Sequence, residues 1–240
     1  MCFGVECGGF LAATATAVCY ERRLAWIGMV LTDPAYRRRG FALRLMEHAI
    51  AALTARRMEW IKLDATEMGA PLYRHLGFEP ECGVERWGAS AAQATCIRGL
   101  TWRGQGSALD RQAFGADRSE LLALLAPLGA ADLADDKGNG GGESYAMARP
   151  GLHGAYFGPC VSREAGAAKE LLAWFLSRHQ GEPVCWDLLP SNTEAIRLAR
   201  ASGFAPLRRL VRMVRRGIPG AAPLVHDDSQ VFAIAGFEYG

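Results

Sequence analysis

A basic turn in the first third of the chain is the segment best suited to chemistry. It spans Thr32–Leu43 and carries three consecutive arginines, Arg37, Arg38 and Arg39, followed by Gly40. Arginine offers positive charge and forked donors that match phosphate oxygens, and glycine lets a ligand approach the backbone closely. These residue types at this spacing predict a phosphate-binding turn.

The flanking segments place this turn between a strand and a helix. The apolar run Trp26–Leu31 before it is typical of a strand. After it, apolar residues recur with helical spacing, namely Leu43, Leu45, Met46, Ala49, Ile50 and Leu53. The first N–H groups of a helix have no partner within the helix, and the positive end of its dipole attracts anions. We therefore expect phosphate at the start of a helix over 41–57.

Two motifs resemble those of the GCN5-related N-acetyltransferases (GNATs). Arg37-x-x-Gly40-x-Ala42 resembles their pyrophosphate-binding signature, Gln/Arg-x-x-Gly-x-Gly/Ala. The segment Leu72–Phe78 looks like the end of a family helix, Leu-Tyr-x-x-Leu-Gly-Phe, and a strand-type run, Trp60–Asp64, lies between the two motifs. A short motif gains weight from such a context. The resemblance implies acetyl-coenzyme A (acetyl-CoA) as the cofactor.

The resemblance also implies a role for each matching residue. The pantetheine arm of the cofactor would pair with Val30, Leu31 and Thr32. The pyrophosphate would be held by the turn residues, which are Arg37, Arg38, Arg39, Gly40, Phe41, Ala42 and Leu43. Tyr73 is the implied catalytic general acid for the leaving thiolate, since a phenol with a reference pKa of about 10 stays protonated at neutral pH. The alternative for Tyr73 is an ordinary half-buried side chain packed against Phe78.

The second half of the chain repeats this plan. The spacing Arg-x-x-Gly-x-Ala recurs at Arg163–Ala168, opening a predicted helix over 167–176. A strand-type run, Val184–Leu188, follows, and Asn192–Phe204 then mirrors Thr66–Phe78. Such a repeat predicts two copies of one fold.

Two differences between the copies favour the first as the functional one. Glu164 stands beside Arg163 in the second turn, and a carboxylate repels phosphate by about 1 kcal/mol at 4 Å in water. Ala199 stands where the first copy has Tyr73, so the second copy lacks the hydroxyl. We expect the active site in the first half and a degenerate repeat in the second.

The second half also resembles the C-terminal domain of a bacterial two-domain subgroup that includes the YitH-like acetyltransferases. The resemblance lies in Asp110–Arg118, in Arg212 and Met213, and in Val231–Glu238. It implies an α+β fold (an α/β three-layer arrangement) of two tandem GNAT-like domains, each a mixed, mostly antiparallel sheet flanked by helices. The predicted limits are 1–92 for a cofactor-binding domain that is short at its N-terminus, 93–108 for a linker and 109–240 for the C-terminal domain.

The remaining element predictions come from local patterns. Strands are expected at 2–7, 10–20, 25–32, 59–65, 84–88, 143–149 and 152–161. Helices are expected at 67–76 and, after capping residues Asp117 and Ser119, up to Leu125. Cys7-Gly8-Gly9 predicts a hairpin turn, and the glycine-rich run 135–142 predicts a mobile loop.

Bulk properties narrow the classes of function. A chain of 240 residues, half of them hydrophobic, fits one large or two small globular domains. No apolar run reaches the ~18 residues of a membrane span and no signal peptide is recognisable, which predicts a cytoplasmic protein without a membrane partner. A net charge of +2 argues against a nucleic-acid partner. Seven scattered cysteines, and histidines without ligand spacing, predict neither a disulfide framework nor a metal site.

The sequence thus predicts an acetyl-CoA-dependent N-acetyltransferase that works by direct attack of an amine in a ternary complex. The acceptor would be a small-molecule or peptide amine of unknown identity, and the protein could form a homodimer. One rival is a non-catalytic acyl-CoA-binding or regulatory module, and another is an arginine-driven nucleic-acid binder with steep salt dependence. Glu67, Asp33 and His75 are the open candidates for a general base.

Overall fold

The computed structural model describes residues 1–92, 99–104, 107–133 and 144–240. The predicted loop at 135–142 and parts of the predicted linker lie outside them. The strands are β1 (Cys2–Cys7), β2 (Phe10–Tyr20), β3 (Leu24–Thr32), β4 (Trp60–Ala65), β5 (Glu79–Ala89), β6 (Ala130–Leu133), β7 (Ser144–Gly151), β8 (Gly154–Val161), β9 (Val184–Leu188), β10 (Ala205–Arg216) and β11 (Val231–Ala233). The α-helices are α1 (Phe41–Ala55), α2 (Ala70–His75), α3 (Ser107–Phe114), α4 (Ser119–Leu125), α5 (Ala165–Arg178) and α6 (Thr193–Ala201).

Contacts divide the chain into two compact units. Unit 1 comprises Met1–Cys82, Leu210–Leu224 and Phe237–Gly240. Its strands pair in the order β1-β2-β3-β4-β10, with β3 and β4 parallel and the other neighbours antiparallel. A parallel pair needs a crossover connection, and α1 supplies it between β3 and β4.

The core of unit 1 lies between one face of this sheet and the helices α1 and α2. The helix α1 buries one face, made of Leu45, Met46, Ala49, Ile50 and Leu53. These side chains pack with strand residues such as Ala25, Ile27, Ile61 and Leu63 and with Tyr73 of α2. Each fully buried aliphatic side chain contributes about 1.5–3 kcal/mol, so this core holds β3 and α1 at a fixed angle around the turn between them.

Unit 2 comprises Gly83–Arg209 and Val225–Gly236, and it repeats the plan. Its strands pair in the order β5-β9-β8-β7-β6, with β8 and β9 parallel and α5 connecting them. A further strand, β11, pairs with β8. The prediction of an α+β fold with mixed, mostly antiparallel strand pairing, flanking helices and two copies of one plan is confirmed.

The last strand of each unit comes from the other half of the chain. In unit 1, β10 pairs with β4 and aligns Arg212 with Asp64. In unit 2, β5 pairs with β9 and aligns Arg86 with Asp187. Both pairs are bidentate: Arg212 binds Asp64 at 2.9 and 3.2 Å, and Arg86 binds Asp187 at 2.7 and 2.6 Å.

Several predicted elements need correction. The helix α2 begins at Ala70 rather than at 67, because the N–H of Gly69 bonds to Thr66 Oγ1 at 3.1 Å and closes a separate turn. The helix α5 begins at Ala165 rather than at 167, and β5 extends beyond the predicted 84–88. The sequence patterns did not predict α3, β6 or β10. The compact units group residues by contact rather than by sequence, so the limits 1–92, 93–108 and 109–240 stay a prediction.

Candidate functional site

The turn between β3 and α1 has an unusual backbone. Asp33 begins it by accepting a bond from the N–H of Ala35 at 2.8 Å, which caps a short 3-10 helix over Pro34–Tyr36. Arg38 then has φ 60° and Gly40 has φ 78°, both in the left-handed region, before α1 starts at Phe41. Glycine adopts this conformation without steric cost, and a Cβ added at Gly40 would have nothing within 4 Å. The space above Gly40 is therefore open.

The amides of this turn are available to a ligand. Among the described residues, none accepts a hydrogen bond from the backbone N–H groups of residues 38–43, and the next, Arg44, bonds to the carbonyl of Gly40 at 3.1 Å. These donors lie at the positive end of the α1 dipole. They form a run of consecutive amides suited to an anion with several oxygens.

The three arginines surround this run with positive charge. All three side chains are exposed. Arg37 Nε donates to the carbonyl of Thr32 at 3.4 Å, and the Arg39 guanidinium lies 5.2 Å from the ring centre of Tyr36. These contacts place two of the side chains beside the turn. The structure thus brings all the predicted turn residues, 37–43, into one place.

The neighbouring strand β3 separates from β4 before it reaches the turn. The parallel ladder between them ends at Trp26 and Lys62, although β3 continues to Thr32. A bulge in β3 follows, with Met29 at φ 50° and its carbonyl accepting a bond from Thr14 Oγ1 at 3.0 Å. The predicted residues Val30, Leu31 and Thr32 lie beyond this point. The edge of β3 that faces β4 therefore has no strand partner there among the described residues.

Tyr73 lies on α2 with its ring in the core of unit 1. It is 8% exposed and packs edge to face against Phe78, with ring centres 6.2 Å apart. Burial raises the pKa of Tyr73 to about 12. No hydrogen bond to its hydroxyl is found among the described residues. With its pKa raised, the phenol keeps its proton at neutral pH.

The corresponding turn of unit 2 is shorter, and the amide of Glu164 within it is already bonded. Eight residues, 33–40, join β3 to α1, but only three, 162–164, join β8 to α5. Ser162 Oγ accepts from the N–H of Glu164 at 3.1 Å and donates to its carbonyl at 2.7 Å. Gly166, the second motif glycine, lies inside α5 without a positive φ. The second copy of the motif has the spacing of the first but not its conformation.

The cleft of unit 2 is filled by the chain itself. The ladder between β8 and β9 ends at Phe157 and Trp186, as the ladder in unit 1 does at Trp26 and Lys62. Beyond it, β11 pairs with β8 at Cys160 and Val161. The strand is further held by its neighbours: the N–H of Ile234 bonds to the Asp187 carbonyl at 3.0 Å, Trp186 Nε1 donates to the Phe232 carbonyl at 2.8 Å, and Asn192 Nδ2 donates to the Val231 carbonyl at 3.1 Å.

The three open candidates for a general base lie at different places. The carboxylate of Asp33 caps the 3-10 helix, and Glu67 and His75 are exposed side chains near α2.

The sequence patterns did not predict β11 or the segment Phe237–Gly240, which packs in unit 1. A strand of three residues is too short to give a periodic signal that could have revealed its position. No helix within the described ranges is both long and apolar enough to cross a membrane.

Comparisons with known proteins agree with this architecture. Two family models, each described as an acetyltransferase (GNAT) domain, match residues 2–80 and 107–233. The chain is 26% identical over 180 residues to a Bacillus subtilis (strain 168) protein named as the uncharacterized N-acetyltransferase YitH; the match covers 71% of this chain and 62% of that protein. The chain thus spans less than two thirds of that curated relative.

Solved structures show the same fold. A Pyrococcus horikoshii protein, provisionally assigned as an acetyltransferase, has a TM-score of 0.84 at 19% identity, covering 100% of this chain and 80% of its own. A tandem GNAT protein from the clavulanic acid biosynthesis pathway has a TM-score of 0.62 at 15% identity, covering 91% and 83%. At these identities the likeness shows the fold alone. Because one family model covers more than half of the chain and a second covers the remaining copy, the chain belongs to the GNAT family and carries two GNAT domains.

Proposed function

We propose that this protein is an acetyl-CoA-dependent N-acetyltransferase whose active site lies in unit 1. The observation that carries the proposal is the run of backbone N–H groups at residues 38–43 without acceptors among the described residues, beside open space at Gly40. A diphosphate presents several charged oxygens, and hydrogen bonds to charged groups are worth about 1.5–3 kcal/mol each. Arg37, Arg38 and Arg39 add the complementary charge.

The edge of β3 supplies the next part of the proposed site. Beyond the end of the β3–β4 ladder, Val30, Leu31 and Thr32 present a strand edge that an extended arm containing amide groups could pair with. This edge leads directly to the amide run at the start of α1. A ligand with a diphosphate joined to an amide-containing arm, such as coenzyme A, matches both features.

When bound, acetyl-CoA supplies an acetyl group activated as a thioester. The chain itself positions the reactants and supplies a proton. Tyr73 holds its proton because burial raises its pKa to about 12, and its hydroxyl has no partner among the described residues. It would act as general acid toward the departing thiolate. Proton transfer of this kind typically contributes 10²–10⁴-fold, and holding the amine near the acyl carbon contributes further.

The acceptor remains an amine of a small molecule or a peptide. The proposal is tested by titrating the protein with acetyl-CoA in a calorimeter and then measuring thiol release with a panel of amines that includes spermidine, tyramine and a short peptide with a free N-terminus. We expect one acetyl-CoA per chain and amine-dependent thiol release. Binding without turnover would support the non-catalytic acyl-CoA-binding module, and absence of binding would refute the proposal.

A further inference from the structure

One face of the unit 1 sheet carries a short segment of the chain, Phe237–Tyr239, near the end of the β3–β4 ladder. The opposite face is the one that packs on α1 and α2, where Ala25 and Ile27 belong to the core. Because side chains alternate along a strand, Trp26 and Gly28 lie on the face that carries the segment. Contacts within unit 1 confirm this placement.

Three contacts hold the segment against β2 and β3. Trp26 Nε1 donates to the carbonyl of Phe237 at 3.0 Å, and the Tyr20 hydroxyl donates to the carbonyl of Tyr239 at 2.7 Å. Between them, a Cβ built on Gly28 would lie 2.8 Å from the Cα of Glu238 and 3.2 Å from its carbonyl oxygen. Only glycine allows so close an approach of two backbones. The segment is therefore pressed onto β3 at Gly28.

This position lies beside the place where an acetyl group would be. The proposed site holds the diphosphate at residues 38–43 and the arm along Val30–Thr32, so the thioester would point toward the end of the ladder, where Gly28 lies. The helix side of β3 is closed by the core. An acceptor must therefore arrive from the other face, past Phe237–Tyr239.

We propose that Phe237–Tyr239 forms the acceptor-side wall of the active site, and that Gly28 is the position that sets how closely this wall approaches. Tyr20, Trp26 and Gly28 are positioning residues in this arrangement. The wall limits the space for the amine and excludes water from the thioester. The inference rests on the proposed function of unit 1.

The first test uses Gly28→Ala without any ligand. The added methyl group must displace the Glu238 backbone, so hydrogen exchange of a peptide covering 237–239 should quicken by about fivefold or more. The control is Gly4→Ala on β1, where the new Cβ would meet the flexible end of the Leu11 side chain at 3.0 Å. This control should leave exchange at 237–239 unchanged.

The second test measures thiol release from acetyl-CoA with water as the acceptor. The water oxygen bonds to the acyl carbon, the C–S bond breaks, and the thiol leaves with a proton from water, giving acetate and coenzyme A. A displaced wall admits water, so Gly28→Ala should raise this rate by about 3–10-fold. The affinity for coenzyme A, measured by calorimetry, should stay within about twofold because the amide run is untouched.

Tyr20→Phe provides a second variant that adds no volume. It removes the bond to the Tyr239 carbonyl and should cause a smaller rise in both exchange and hydrolysis. Unchanged exchange in both variants, or faster exchange with unchanged hydrolysis, would overturn the proposed wall. Failure of the underlying function would look different, since the unsubstituted protein would then give no heat with acetyl-CoA.

Discussion

The turn before α1 and the turn before α5 share the spacing Arg-x-x-Gly-x-Ala but differ in structure. In the first, Gly40 is left-handed and precedes the helix, which leaves the amides of residues 38–43 without acceptors among the described residues. In the second, Gly166 lies within the helix, and Ser162 and Glu164 bond to each other. The second connection is five residues shorter and contains neither of the left-handed residues that shape the first, Arg38 and Gly40.

The strands beside these turns also differ in whether their edges are paired. The edge of β3 past Trp26 has no strand partner among the described residues, whereas the equivalent edge of β8 is paired with β11. A backbone edge that is satisfied by the chain itself cannot also pair with a ligand. A duplicated fold can thus keep its architecture in both copies while, among the described residues, the strand edge beside the turn is open in one copy and covered in the other.

The largest expected effect is a difference in acetyl-CoA affinity between variants of the two motif glycines, Gly40 and Gly166. Gly40→Val forces a β-branched residue to φ 78° and should distort the amide run, and losing two or three charged hydrogen bonds would weaken acetyl-CoA binding by about 10²–10⁴-fold or more. Gly166→Val, the matched control, should leave the affinity unchanged. Calorimetry on both variants checks this. Equal affinities for the two would break the comparison.

A second prediction concerns Tyr73, whose counterpart in the repeat is Ala199. Tyr73→Phe keeps the ring in the core and removes the hydroxyl, so kcat should fall by about 10²-fold or more while the Kd for acetyl-CoA stays the same. Steady-state kinetics and calorimetry give the two values. An unchanged kcat would mean that water, rather than Tyr73, protonates the departing thiolate.

A third prediction compares the ion pairs that link each exchanged strand to its neighbour, Arg212–Asp64 in unit 1 and Arg86–Asp187 in unit 2. Asp64 and Asp187 are both fully buried, whereas Arg212 is 7% exposed and Arg86 is 31% exposed. Arg212→Met should cost about 3–5 kcal/mol in the free energy of unfolding, because a buried carboxylate loses two charged hydrogen bonds. Arg86→Met should cost less, since water reaches that site more easily.

Urea unfolding of each variant gives the two losses. The double variant Arg212→Met with Asp64→Leu serves as the control, because it removes the buried carboxylate together with the arginine and should recover much of the stability. A larger loss at Arg86 than at Arg212 would contradict the ranking by exposure.

The smallest expected effect is a dependence on pH. Burial raises the pKa of Tyr73 from 10.0 to about 12, so the folded protein holds this proton more tightly than the unfolded chain. The resulting stabilisation is complete below pH 10.0 and is lost as the pH rises toward about 12. Tyr73→Phe should lack this loss in unfolding measurements, and the rate of the unsubstituted enzyme should show no decline from Tyr73 below that range. A decline near pH 9 that disappears in Tyr73→Phe would contradict this.

The sequence predicted the parts of this molecule that depend on nearby residues. The strand–turn–helix at 24–55 follows from local apolar spacing and from a glycine where the chain needs a left-handed residue. The repeat also appeared, because both copies keep the same order of motifs. Tyr73 was singled out from its motif, and its raised pKa needed the packing of the core to become visible.

Contacts between distant residues account for what the sequence did not reveal. The strand β11 is three residues long, and its pairing with β8 depends on anchors such as Asn192 and Trp186 that lie far away in the chain. The close approach of Glu238 to Gly28 spans a sequence separation that no local pattern records. The exchange of β5 and β10 has the same origin, since a strand pattern does not name its partner.

That exchange bears on how the protein is made. The edge of β4 in unit 1 receives its partner from Leu210–Arg216, which is synthesised 128 residues after Cys82. Synthesis proceeds at roughly 5–20 residues per second, so the edge of β4 stays unpaired for on the order of ten seconds before β10 has been made. An early fragment would carry an apolar, unpaired sheet edge, so the first half should mature only when the second half has emerged.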